Sequence, residues 1–268
     1  MTIMTAHLSV VLGSYNRLRY LKLTIESIRR ELEQCPFPQE VIVVDGGSDD
    51  GTLNWLLKQK DILTIVQHNR GEWRGERIER RSWGYFMNLG FRCAQGKYIC
   101  MLSDDCLVVP GAVRNGVELF DARSAAGGKV GAVAFYWRNW PEQENYWVGY
   151  TFGDRMFVNH GLYLREVLEE VGYADEENYS FYHADGDLCL RMMERQYDCI
   201  DAPQSFIEHH SHANAAVKEQ NNERQQADWA HYVSRWGHLG QPERDWRELS
   251  FDDPAKTAEL FQKRWFRS

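Results

Sequence analysis

The 268-residue chain has no closely spaced cysteine pairs. Its six cysteines (Cys35, Cys93, Cys100, Cys106, Cys189 and Cys199) are scattered, which argues against a zinc site or a dithiol centre. Several lie inside apolar runs, as reduced core residues of a cytosolic protein do. No apolar stretch approaches the roughly 20 residues that a bilayer-crossing helix needs. The opening Met1-Thr2-Ile3-Met4-Thr5 lacks the basic region and apolar segment of a secretory leader. Positive charge is also short: the net charge of −8 argues against general nucleic-acid binding. There is no internal repeat and no low-complexity segment. What remains is a soluble, cytoplasmic globular protein, with an ordinary 43% hydrophobic and 26% charged residues.

The apolar runs that are present alternate in type. Leu8 to Leu12 reads as a buried strand ending in Gly13-Ser14-Tyr15-Asn16-Arg17. Leu18, Leu21, Leu23, Ile25, Ile28 and Leu32 give the next segment a helical apolar side, and Pro36 and Pro38 end it. Glu40 to Val44 is a second strand, a helix spans Leu53 to Lys60, and a third strand covers Ile62 to Gln67. This order predicts a parallel sheet with right-handed crossovers, whose ligands bind beyond the carboxyl ends of the strands. The loop Asp45-Gly46-Gly47-Ser48-Asp49-Asp50-Gly51-Thr52 lies at such an end. It lacks both the Gly-Lys-Ser/Thr ending of a phosphate loop and the dinucleotide glycine spacing. Asp45 is placed to accept hydrogen bonds from a base or ribose, while Ser48, Asp49 and Asp50 equally suit a helix cap. The arginine-rich stretch from Asn69 to Arg92, including Arg80 and Arg81, offers guanidinium forks for a diphosphate.

The chemistry gathers around Tyr98-Ile99-Cys100-Met101-Leu102-Ser103-Asp104-Asp105. Two acids where a buried strand ends need a partner, because desolvating an unpaired carboxylate is costly. A hard cation such as Mg²⁺ or Mn²⁺ suits them, and a solvated turn is the other reading. Beyond Pro110-Gly111, a helix runs through Val117 and Leu119, and a strand covers Val130 to Tyr136. Trp137, Trp140, Tyr146, Trp147 and Tyr150 then suit either an acceptor platform or packing under a loop; the chain holds 10 Trp and 13 Tyr. A strand at Tyr197 to Ala202 precedes Phe206-Ile207-Glu208-His209-His210-Ser211-His212, whose histidines are candidate metal ligands. The polar remainder from Ala216 to Ser268 reads as helices on the core or an oligomer contact. Its Lys263-Arg264-Trp265-Phe266-Arg267 is a possible peripheral membrane contact.

Five strings then fall in a known order: Ser14-Tyr15-Asn16; Val41-Ile42-Val43-Val44-Asp45-Gly46-Gly47-Ser48 with Asp50-Gly51-Thr52; Asn88-Leu89-Gly90; Gly96-Lys97-Tyr98-Ile99; and Leu102-Ser103-Asp104-Asp105. Gly172-Tyr173-Ala174-Asp175-Glu176 and Ala184-Asp185-Gly186-Asp187-Leu188 with Arg191 follow. Together they resemble family 2 glycosyltransferases. The resemblance implies a GT-A, Rossmann-like α/β fold with a mixed, mostly parallel sheet over residues 1–215. It divides into a nucleotide-binding half to about residue 106 and an acceptor half, with a helical extension over 216–268. It also implies a nucleoside-diphosphate sugar donor, UDP- or dTDP-linked, a carbohydrate or other hydroxyl acceptor, and inversion of configuration in glycan or polysaccharide assembly. Ser14, Tyr15, Asn16, Asp45, Arg81, Asn88 and Asp104 would serve the nucleotide, with Tyr15 stacked on the base. Asp105 and His210, with His209 and His212 as alternatives, would hold Mn²⁺ or Mg²⁺. Asp185 would be the general base, and Gly161, Asp187 and Trp137 would face the donor sugar or acceptor; a mutual salt bridge with Arg191 is the other reading of Asp187. Two departures from the pattern are Ser103, in place of the first aspartate of Asp-x-Asp, and Ala184, in place of a glutamate. They admit a catalytically silent sugar- or nucleotide-binding module as an alternative, and a nucleotidyltransferase is a further one.

Overall fold

The computed structural model describes residues 6–140, 142–210, 222 and 224–250. Near-continuous apolar runs form β1 (Leu8–Ser14) and β2 (Gln39–Asp45), which are buried on both faces as central parallel strands must be. Between them, α1 (Leu18–Glu33) turns Leu21, Ile25, Ile28 and Leu32 into the core. A short α2 (Thr52–Leu56) and β3 (Ile62–Val66) follow. A two-stranded ribbon, β4 (Glu72–Trp73) with β5 (Glu76–Arg77), precedes α3 (Trp83–Cys93). The chain continues through β6 (Tyr98–Met101), β7 (Cys106–Val108) and α4 (Ala112–Ala125). Next come β8 (Val130–Asn139), β9 (Tyr146–Thr151), β10 (Arg155–Met156) and β11 (Gly161–Leu164). The last elements are α5 (Arg165–Glu170), α6 (Ala184–Glu194), β12 (Asp198–His209), α7 (Gln225–Trp236) and β13 (Trp246–Leu249).

The sheet runs β10-β9-β8-β11-β6-β1-β2-β3. Parallel pairing holds from β3 through β2 and β1 to β6. At β11 the sheet becomes antiparallel, since β11 pairs with both β6 and β8 in that sense. Gly161 opens β11 at φ 152°, where an added Cβ would stand 2.1 Å from the Val133 carbonyl oxygen; only glycine fits that approach. Gly90 permits a second close approach, because a Cβ there would meet Val11 Cγ1 at 2.5 Å and push α3 off the sheet.

Two strands depart from the expected pattern. The strand expected to end at Ala202 continues to His209, pairing with β8 and then also with β7. Its register shifts between Ala202 and Phe206, the interval holding Pro203, which has no N–H for the ladder. Trp246 to Leu249, expected within the helical extension, is instead β13. It pairs with β9, whose backbone offered a free edge, after Pro242 separates it from the preceding helical turn. The helical expectation is met by α7, which buries Tyr232 and Trp236. His212, Phe251, Leu260, Phe261, Trp265 and the basic tail lie outside the described residues. Among the described residues, no helix is long and apolar enough to cross a membrane.

Glu31, buried on α1, fastens the first helix to α4. Its carboxylate accepts the backbone N–H groups of Gly111 (2.6 Å), Val113 (2.9 Å) and Arg114 (3.0 Å), the otherwise unpaired donors of the α4 N-terminus. Glu31→Ala is expected to cost about 3 kcal/mol in urea unfolding, because it strands three buried donors. A loss within experimental error would show that the carboxylate is not what holds α4.

Candidate active site

A cavity of about 340 Å³ opens at the carboxyl ends of β1, β2 and β6. Ser14, Tyr15, Arg81, Asp104 and Asp185 all line it, although they come from distant parts of the chain. The Tyr15 ring lies against Gly46 and carries the Arg70 guanidinium 4.9 Å from its centroid. Arg80 and Arg81 form part of the same wall, and Asn69 accepts the Arg81 N–H at 2.6 Å, fixing the loop there. The opposite side is built by Ser180 to His183.

Asp104 and Asp105 are each only 4% exposed. One nitrogen of Arg17 bridges them, 2.7 Å from Asp104 Oδ1 and 2.8 Å from Asp105 Oδ2. Burial pushes both carboxyls up, but the outcomes differ. At Asp104, burial and the Asp105 charge outweigh Arg17 and its pKa is raised. At Asp105, His209 and then Arg17 overcome burial and hold its pKa below the usual range. Burial alone would lower the Arg17 pKa, yet the two carboxylates raise it. Arg17 was not among the residues picked from the sequence. Its position beside Ser14-Tyr15-Asn16 was visible, but its pairing across 87 residues was not.

The histidines separate by their surroundings. His209 Nε2 is 3.4 Å from Asp105 Oδ1, and its Nδ1 lies 2.8 Å from Asn139 Oδ1. His210 stacks on Tyr20 with ring centroids 5.0 Å apart, and its backbone N–H donates to the Asp105 carbonyl. Of His209 and His210, the two candidates among the described residues, His209 is the one whose ring faces the acid pair. His160 is buried beside it, with both ring nitrogens unpaired, and burial pushes its pKa down to about 3. Asp104 lines the cavity, and its Oδ2 accepts no hydrogen bond. This hard-oxygen donor fits a Mg²⁺ or Mn²⁺ ion that takes its other ligands from water and phosphate. Among the described residues, no group of three or more His, Cys, Asp or Glu side chains is arranged to hold a metal unaided.

Several expected site residues do other work. Asp45 is fully buried, and its oxygens accept Gly47 N–H (2.9 Å), Ser48 N–H (2.8 Å) and the Ser48 hydroxyl (2.7 Å). Asn16, at φ 51°, joins this loop to β1 by donating its N–H to Ser48 Oγ and accepting from Asp49 N–H. Asn88 is buried and exchanges hydrogen bonds with the Ala174 backbone. Gly161 is paired in the sheet, and Trp137 packs against Trp147 with centroids 3.9 Å apart. Asp187 faces away from the cavity: Arg191 Nε (2.7 Å), Trp236 Nε1 (2.9 Å) and the Tyr179 hydroxyl (3.2 Å) all donate to it. None of these six lines the cavity.

Asp185 stands in the first turn of α6 and is partly exposed. Gly186 N–H donates to Oδ1 at 2.9 Å, and Asn159 Nδ2 lies 3.5 Å from Oδ2. Burial raises its pKa despite these donors. His183, in the left-handed region at φ 67°, precedes it and stacks on Tyr232 at 5.0 Å. The loop before His183 is held from α7, where the Asp228 carboxylate accepts the N–H groups of Ser180 (2.8 Å), Phe181 (2.9 Å) and Tyr182 (2.9 Å). Nothing local in the sequence marked Asp228.

The family model for glycosyl transferase family 2 matches residues 9–190. An uncharacterised glycosyltransferase of Nostoc sp. is 28% identical over 125 residues, covering 45% of this chain and 34% of that one. The chondroitin synthase of Pasteurella multocida is 29% identical over 107 residues, covering 38% of this chain and 10% of its own length. The chain thus spans about a third or less of these curated relatives. Among solved structures, the mannosyltransferase PcManGT of Pyrobaculum calidifontis, in complex with GDP-Man and Mn²⁺, superposes with a TM-score of 0.58. It is 18% identical, with 86% of this chain and 65% of that one covered. TarS 1–349 of S. aureus, in complex with UDP, gives 0.55 at 15% identity, covering 87% of this chain and 68% of that one. Both are matches of fold.

Arg17→Met is expected to destabilise the protein by about 3–5 kcal/mol, because it leaves two buried carboxylates without their cation. Urea unfolding at neutral pH measures the loss. A change below about 1 kcal/mol would mean that water already compensates the acid pair.

Proposed function

From membership in glycosyl transferase family 2, to which this chain belongs, we propose that the protein is an inverting glycosyltransferase using a nucleoside-diphosphate sugar. The observation that carries this reading is Asp185, a carboxylate of raised pKa on the wall of the cavity that also holds Tyr15 and Asp104. A general base works best when its pKa is drawn toward the working pH, and a desolvated carboxylate moves that way. Asp185 takes the proton of the acceptor hydroxyl as its oxygen bonds to C1 of the donor. The C1–O bond to phosphate breaks with its electron pair, releasing nucleoside diphosphate. Attack from the face opposite that bond inverts C1.

In this reading Tyr15 and the loop shaped by Asp45 and Asn16 receive the base, while Arg80 and Arg81 face the diphosphate. Asp104, with Asp105 behind it and His209 behind that, would hold Mg²⁺ or Mn²⁺. When bound, the ion supplies Lewis-acid stabilisation of the charge on the leaving diphosphate. The Mn²⁺ in the complex of the Pyrobaculum calidifontis mannosyltransferase supports use of a divalent ion. UDP- or dTDP-linked sugars are the donors to test first, and the UDP bound to TarS supports the former. Glycan or polysaccharide assembly is the setting that such chemistry serves, with the chain itself in the cytoplasm.

Asp185→Asn is expected to lower transfer at least a hundredfold while leaving nucleotide affinity within about threefold. Calorimetric titration with UDP, GDP, dTDP and CMP, with and without Mn²⁺, supplies the affinities. Loss of nucleotide binding in the variant would reassign Asp185 to the donor site. The pH profile gives a separate check. Only ionised Asp185 accepts a proton, so kcat/KM should rise with pH through a pKa above the ordinary carboxylate value of about 3.9. An acid limb at or below that value would remove Asp185 as the base.

A further inference from the structure

A second cavity, of about 230 Å³, lies on the other side of Asp185. Asp185 and His183 line both cavities, forming a shared wall. The second cavity draws on segments beyond the residues that define the family. Trp229 of α7 lines it and is 42% exposed. The placement of Trp229 is not accidental: the neighbouring Asp228 anchors α7 to Ser180, Phe181 and Tyr182. The indole also stacks on Phe152, with ring centroids 5.8 Å apart and planes 19° apart, so one face is backed. Tyr150 and Phe157 add further half-buried aromatic surface. Gln241 and Asp245 supply polar groups, and no lysine or arginine lines the cavity among the described residues.

We propose that this cavity is the acceptor subsite and that it selects an uncharged sugar ring, seated on Trp229 with a hydroxyl directed at Asp185. The proposal rests on the glycosyltransferase reading and adds the acceptor's chemical class. Rigid aromatic faces bury the C–H face of a ring at low entropic cost, while amide and carboxylate groups satisfy its hydroxyls. A phosphorylated or acidic acceptor would meet Asp185 and Asp245 inside the cavity, while the nearby Arg244 is engaged on the Tyr150 ring, 5.3 Å from its centroid, and does not line the cavity. The volume lies below the roughly 300 Å³ where drug-sized pockets begin, which suits a single ring with the rest of a longer acceptor outside. The platform expected around Trp137 and Trp147 is used internally, since those rings pack on each other. Of that group only Tyr150 reaches the second cavity.

Saturation-transfer NMR on the full chain tests this with methyl glycosides of glucose, galactose, mannose and N-acetylglucosamine, with glucose 6-phosphate as the anionic comparator. Spectra are taken with and without UDP or GDP. At least one neutral glycoside should receive saturation at its ring C–H protons, and the signal should fall at least fivefold in Trp229→Ala. Trp229→Phe, which keeps an aromatic face and guards against a folding defect, should restore a signal within about twofold of the parent. No transfer to any neutral glycoside, an undiminished signal in Trp229→Ala, or stronger transfer to glucose 6-phosphate would each overturn the proposal. Nucleotide titration separates the two readings. A protein that binds nucleoside diphosphate but fails these glycoside tests loses the acceptor assignment alone. One that binds no nucleoside diphosphate loses the donor reading, while the glycoside spectra still decide the second cavity.

Discussion

The site depends on keeping two adjacent carboxylates in a nearly dry place. Asp104 and Asp105 come after β6, beyond Leu102 and Ser103, and are still buried. Neither could remain there ionised alone, and the fold supplies partners from both directions. Arg17 arrives from the start of α1, and His209 from the end of β12. Because each partner comes from a distant element, the acid pair ties the N-terminal parallel half to the antiparallel half. The unequal treatment of the two acids divides their work. Asp105 is held ionised in the interior, while Asp104 lines the cavity.

The same device recurs with backbone donors in place of cations. Asp45 gathers the N–H groups of Gly47 and Ser48, Glu31 those of Gly111, Val113 and Arg114, and Asp228 those of Ser180, Phe181 and Tyr182. A buried carboxylate that accepts several N–H groups satisfies donors that would otherwise be stranded. Each set fixes one piece of the framework: the loop after β2, the packing of α1 on α4, and the loop leading to Asp185. Loops fixed this way present their side chains at defined distances without needing a large apolar core beneath them.

The distinction between backbone-determined and partner-determined features explains what could be read from the sequence. Strand ends carry their own signal, an apolar run stopping at polar residues, so Ser14-Tyr15 and Asp104-Asp105 were legible as ends. Asp185, in the first turn of α6, was instead placed by the family resemblance; Ser14, Tyr15, Asp104 and Asp185 share a cavity. The alternation of the first three strands was equally local. Arg17 and Asp228 act on residues 87 and 46 to 48 positions away, and no local pattern records such a partner. Asp187 shows how a string leaves two readings open. Of a place beside the sugar and an ion pair with Arg191, the structure shows the ion pair, with Trp236 as a further donor. The histidine cluster shows the same limit, since strand alternation sends His209 to Asp105 and His210 to Tyr20. β13 was hidden because its reason for being a strand lies in the free edge of β9.

The family match ends at residue 190, yet the setting of Asp185 does not. Asp228, Tyr232, Arg235 and Trp236 all lie on α7 and all contact the segment from Ser180 to Asp187. The N-terminus of α6 is thus held between the sheet and α7. A displacement of α7 would move Asp185 relative to both cavities at once. In the proposed reaction, which needs the acceptor oxygen in line with C1 and the leaving oxygen and within reach of the base, an error of about 1 Å costs on the order of a hundredfold in rate. Such tolerances require a rigid mount. α7 therefore belongs to the mount of Asp185, although it lies beyond the residues that the family model matches.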